Sequence, residues 1–289
     1  SPTIVVPGSW SRRDIRHQAE QIVSQKMHNA GFNCVAAQIL VVPADWEHTD
    51  ALLDEVSSLM ADLDDRDPYY PGALERCAVA IDRTTGVETH GEVESRYVIS
   101  DLDPTDESEV MFTTEVFGPV LGVVALESPD VGSYLIKATD FANTRLYGTL
   151  GANILVHPRT IKANRRAFDR MLSKLDYGTL AVNSWTGAAY FMPKLTWGAA
   201  PGHTAQDIQS GRGVVHNVLM FDRPKKSVIY GPFVGGERSW LKGEFHIAPK
   251  PVYFVSHSQA HAVGERLIPY VMSKSKADLA RVASAAVRG

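Results

Sequence analysis

The chain is poor in features that would place it outside ordinary globular proteins. Only 2 of its 289 residues are cysteine, too few for a disulfide framework, which favours a reducing, cytoplasmic setting. The longest apolar stretch, around Val116 to Leu126, is interrupted by Gly118, Pro119 and Gly122, so no membrane-spanning segment is expected. Nothing at the start has the charged region and apolar core of a signal peptide. Basic residues are not in excess: 29 Lys and Arg face 33 Asp and Glu, and a net charge of -4 gives no footprint for nucleic acid. Gly (22) and Pro (16) are too few for collagen-like or low-complexity chains.

What is present is 44% hydrophobic residues with alternating strand and helix patterns. Ser11 to Asp14 has capping-box spacing, and Ile15, Ala19, Ile22, Val23 and Met27 share a face, predicting a helix over 12–29. A β-branched strand is expected at 38–43. Asp50 can cap a second helix carrying Leu52, Leu53, Val56, Leu59, Met60 and Leu63. Further strands are expected at 78–82, 96–100, 120–126, 153–157 and 179–183, with helices over 130–145 and 161–176. This alternation predicts an α/β domain: a mostly parallel open sheet with helices on both faces. Beyond Asn183 loops dominate, with strands expected near 215–221, 227–233 and 252–255 and helices near 258–272 and 275–287.

Two segments could carry chemistry. Cys34 lies in a predicted turn between helix and strand, a seat from which a thiolate can attack an electrophile. Composition alone favours inert packing for an unpaired cysteine, and Cys77, at the entrance to the strand expected over 78–82, fits that role better. Glu115 and Phe117, two residues apart, project to the same side of an extended backbone, where a carboxylate and a ring could hold hydroxyls and a flat group together; a solvated Glu and a core Phe are the plainer alternative. His257 and His261 are spaced i, i+4 but lack the Glu of a metalloprotease helix, and no metal is expected. The glycines at 211–213 and 231–236 read as turns.

Taken in order, these segments resemble the aldehyde dehydrogenase superfamily. Asn29 to Cys34 looks like its N-x-G-Q-x-C motif, and Glu115 to Val120 like its E-[IV]-F-G-P-V segment. Phe141 to Leu150 and Asp176 to Asn183 resemble two further stretches, so the resemblance covers about residues 1–195. It implies that Cys34 attacks an aldehyde to give a thiohemiacetal, that hydride passes to NAD or NADP, and that water hydrolyses the resulting thioester. It implies that the Cys34 N–H donates to the oxyanion, that Glu115 binds the nicotinamide ribose and that Phe117 packs beside the ring. Phe32 stands where the family has Gln, and Leu195 to Gly202 where it often has P-F-G-G-x-K-x-S-G.

Ser1 to Val6 matches the stretch immediately after the family's E-L-G-G-K segment, which bears the general base. The expectation is therefore the C-terminal catalytic portion of a longer enzyme, lacking the cofactor-binding half and inactive by itself. Residues 1–195 would form the thiol-bearing domain and 196–289 C-terminal strands, loops and an extension. The expected partners are an aldehyde, the cofactor-binding half and further copies of the chain. A non-catalytic oligomerisation or binding module on the same fold is the alternative.

Overall fold

The computed structural model describes residues 1–82, 86–91, 95–241, 243–244 and 250–289. It opens with β1 (Pro2–Val5), α1 (Arg12–Met27), β2 (Ile39–Pro43), α2 (Thr49–Ala61) and α3 (Ala73–Asp82). There follow β3 (Val87–His90), β4 (Arg96–Ile99), α4 (Val110–Thr113), β5 (Val120–Leu126), α5 (Val131–Arg145) and β6 (Gly151–Leu155). Next come α6 (Pro158–Ala163), α7 (Arg165–Lys174), β7 (Thr179–Val182), α8 (Thr186–Tyr190), β8 (Trp197–Gly198), β9 (Val214–Val215) and β10 (Ser227–Tyr230). The chain closes with α9 (Glu237–Leu241), α10 (Ala260–Ser273) and α11 (Lys276–Ala286).

Eight strands form one sheet in the order β10-β7-β6-β1-β2-β5-β4-β3. Every pairing in it is parallel except β3 with β4 at one edge. The chain moves one way along the sheet from β1 to β2 and the other way from β5 to β6 and β6 to β7. Right-handed crossovers then put α1 and α2 on one face and α5 and α7 on the other, and each of these pairs is packed together. Strands covered on both faces must be apolar throughout, and every residue of β1, β2, β6 and β7 is buried. The core includes Ile4, Val41, Val124, Ile154, Leu180, Tyr134 and Phe168.

The capping box at the start of α1 forms: the Ser11 hydroxyl accepts from the Asp14 N–H while the Asp14 carboxylate accepts from the Ser11 N–H. The helix ends two residues early, in a 3-10 turn over His28–Gly31. α2 begins at Thr49 with His48 as its cap residue, not Asp50. The helix expected over 161–176 is two, α6 and α7, meeting at Asn164.

Three strand expectations are corrected. Residues 78–82 belong to α3, where Ala73, Cys77 and Ala80 are buried at i, i+4 and i+7, a helical period that overrides the short apolar run; Cys77 is thus helical. Of 215–221, only Val215 is in a strand, because His216 and Asn217 take positive φ of 62° and 45° and end it. Residues 252–255 form turns closed by Phe254 N–H to Pro251 and His257 N–H to Phe254.

The chain separates into two compact units, Ser1–Gly231 and Pro232–Gly289. In the second, α10 packs on α11; Lys274 ends α10 in the left-handed region and the Ser275 hydroxyl caps α11 by accepting from the Asp278 N–H. His257 accepts from the Gln259 N–H through Nδ1, and His261 pairs with Glu265 on α10 at 3.2 Å. No helix among the described residues is long and apolar enough to cross a membrane.

Candidate active site

Because the strands run parallel, all the connections that enter them gather along one edge of the sheet. A cleft of about 120 Å³ opens there. It is lined by residues leading into β2 (Asn33, Cys34, Gln38), β5 (Thr114, Glu115, Phe117), β6 (Tyr147, Gly148, Leu150) and β7 (Tyr177), with Lys26 from α1. Open α/β sheets commonly bind ligands beyond the carboxyl ends of their strands; this cleft lies at the amino ends.

The cysteine loop is shaped by a run of left-handed residues after α1: Asn29, Ala30 and Gly31 have φ of 57°, 54° and 83°. The Asn29 amide donates to the Phe32 carbonyl and to the Tyr69 hydroxyl, and the Trp185 indole N–H donates to the Val35 carbonyl at 3.0 Å, fixing both ends of the loop. Cys34 is exposed at its tip, in the cleft. Desolvation by the cleft walls raises its thiol pKa and the Glu115 carboxylate raises it further, while the N–H groups of Cys34 and Val35 pull it back. The sulfur therefore rests protonated at neutral pH, with two amide donors beside it.

The segment carrying Glu115 and Phe117 is clamped from two sides. The Gln38 amide donates to the carbonyls of Met111 (2.7 Å) and Thr114 (2.8 Å) and its oxygen accepts from the Val116 N–H at 2.9 Å. Arg76 on α3 donates to the Val116 carbonyl at 2.8 Å and to that of Phe117 at 3.4 Å. Glu115 is left exposed and Phe117 is half-buried at φ 46°, so the extended backbone expected through this pair is broken at Phe117. The Phe117 ring meets Phe32 (centroids 5.7 Å apart) and Tyr70 (4.9 Å), and Phe32 also meets Tyr69 and Tyr70. Phe32, where the family has Gln, is buried under this aromatic group.

All three sequence-predicted site residues, Cys34, Glu115 and Phe117, thus line the same cleft. Three others that shape it were not anticipated: Gln38, Arg76 and Lys26. Lys26 had a signal, since it continues the buried spacing Ile15, Ala19, Ile22 where an apolar residue belongs. Gln38 and Arg76 had none, because they act on carbonyls distant in sequence. Among the described residues no group of three His, Cys, Asp or Glu side chains could hold a metal ion.

No protein-family model matches the sequence, and no curated protein matches it. Solved structures do. A salicylaldehyde dehydrogenase from Pseudomonas putida, complexed with salicylaldehyde, is similar over 76% of this chain and 44% of its own at 18% identity, TM-score 0.57. An NAD-dependent aldehyde dehydrogenase from Sinorhizobium meliloti is similar over 68% and 39% at 18% identity, TM-score 0.51. An NADP-dependent glyceraldehyde-3-phosphate dehydrogenase from Bacillus halodurans, complexed with NADP, is similar over 64% and 38% at 23% identity, TM-score 0.50. This chain has the aldehyde dehydrogenase fold, and it spans less than half the length of these structures that share it.

Proposed function

We propose that the chain is the thiol-bearing catalytic portion of an NAD(P)-dependent aldehyde dehydrogenase of the cytoplasm. The observation that carries this reading is the convergence of Cys34, Glu115 and Phe117, from separate connections of the sheet, on one cleft. Cys34 sulfur forms a bond to the aldehyde carbon and its proton departs; the N–H groups near the sulfur are free of backbone acceptors among the described residues and can donate to the developing oxyanion. A thiol whose pKa is raised needs a proton acceptor for this step.

The exposed Glu115 carboxylate, with no hydrogen bond given to it among the described residues, fits ribose hydroxyls, and the Phe117 ring, held by its aromatic neighbours, fits the flank of a flat heterocycle. A nicotinamide cofactor, when bound, supplies the hydride acceptor that turns aldehyde oxidation level into that of a carboxylic acid. β10 ends the sheet among the described residues, an edge through which another copy of the chain could pair.

The test is aldehyde-dependent reduction of NAD or NADP by the full-length protein. Cys34→Ser is expected to lower kcat at least about a thousandfold, and retained turnover would exclude the thiol mechanism. The 289-residue chain alone is expected to show none.

A further inference from the structure

Lys26 is a buried charged side chain. It sits in the last turn of α1, 1% exposed, and lines the cleft that holds Cys34. No hydrogen bond or ion pair engages its ammonium among the described residues. The titratable groups around it do not neutralise it. Cys77 and Cys34 have raised pKa values and stay as thiols, Tyr177 is raised and stays a phenol, and Glu115 acts on Lys26 without forming an ion pair. A buried cation in no direct ion pair among the described residues, with the Glu115 carboxylate acting on it only at a distance, keeps part of its desolvation cost, which an anion arriving in the cleft would relieve.

We infer that Lys26 anchors a negatively charged group on the substrate, so that the cleft selects aldehydes bearing a carboxylate or phosphate over neutral aldehydes of the same length. The inference rests on the reading of Cys34 as the group that attacks the aldehyde. Charge attraction across a partly desolvated cleft acts on both the arrival and the residence of an anionic ligand, whereas a neutral one pays to bury itself beside the ammonium.

Alkylation of Cys34 in the 289-residue chain tests this without cofactor. Two reagents of matched size, 3-maleimidopropionate and N-propylmaleimide, are compared by peptide mass spectrometry, with the Cys77 peptide as internal reference. The ratio of anionic to neutral labelling rate is expected to fall about fivefold in Lys26→Met and to be retained in Lys26→Arg. A ratio unchanged in Lys26→Met while Cys34 labels normally overturns the Lys26 assignment and leaves the thiol reading standing. Absence of labelling by either reagent overturns both. A second measurement uses the wild type alone: glutarate or inorganic phosphate is expected to protect Cys34 against N-propylmaleimide, and glutaramide is not. Protection by one anion only tells carboxylate from phosphate and supports the assignment, while equal protection by the amide, or none by either anion, defeats it.

Discussion

A β-carbon on Gly31 would stand 2.7 Å from the carbonyl oxygen of Gly118, closer than such contacts occur. The cysteine loop and the segment bearing Glu115 and Phe117 are therefore pressed backbone to backbone. Gly118 is in turn held against α3, since a β-carbon there would meet the Cys77 sulfur at 2.7 Å. The cleft exists because two glycines remove the side chains that would separate its walls.

Gly31→Ala should damage both stability and site. The residue sits at φ 83°, where alanine is strained, and the clash is with backbone that cannot swing away. A loss of about 3 kcal/mol is expected, with slower Cys34 alkylation in the molecules that still fold. Urea unfolding monitored beside thiol labelling checks both; a variant within about 0.5 kcal/mol of wild type would show that the two segments are not locked.

Alkylation of Cys34 by iodoacetamide should climb with pH through a midpoint above that of an ordinary thiol, because burial first and then Glu115 disfavour the thiolate. Glu115→Gln removes the charge and should move the midpoint down. A rate already at its plateau at neutral pH would contradict the environment described for the sulfur.

Burial pulls the Lys26 amine from its usual 10.5 down to about 8. The folded pKa lies below the unfolded one, so below about 8 both states carry the proton and the native state bears the full cost of a buried charge. Between about 8 and 10.5 only the unfolded chain keeps its proton, so stability contributed by this group rises with pH across that window. Lys26→Met should accordingly be more stable than wild type by about 3 kcal/mol at neutral pH, the gap narrowing as pH rises through the window. Thermal unfolding of both proteins across this range measures it, and a gap that stays constant would mean that the amine does not titrate on unfolding.

Phe32→Gln restores the residue that the aldehyde dehydrogenase motif carries, yet here it should cost about 2 kcal/mol. The amide would be buried among Tyr69, Tyr70 and Phe117 without a partner. Loosening Phe117 should raise KM for the nicotinamide cofactor in the full-length enzyme more than it lowers kcat. The opposite split would place Phe32 in the chemistry instead of in the support of Phe117.

Much of the framework is written locally. The Ser11–Asp14 box fixes where α1 begins, and the β-branched runs at Ile39–Pro43 and Val120–Leu126 become strands because each residue's preference and its neighbours' agree. The apolar runs at 78–82 and 215–221 deceive for the same local reason: four or five apolar residues satisfy a buried helix or an exposed loop as well as a strand. In the first, packing on one face chose the helix. In the second, two left-handed residues left Leu219 at 98% exposure and Met220 at 74%.

Sequence by itself determined most of the longer helices, most strands and the residue types able to act as nucleophile, ribose acceptor and ring wall, since spacing and side-chain chemistry are local properties. Only the tertiary structure decided that Cys34, Glu115 and Phe117 face one cleft at the amino ends of the strands, that Gln38 and Arg76 hold its wall, and that Lys26 stands buried in it, in no ion pair among the described residues. Those facts depend on the close approach of backbones far apart in the chain and on the removal of water from between them, and neither is encoded in any single stretch of residues.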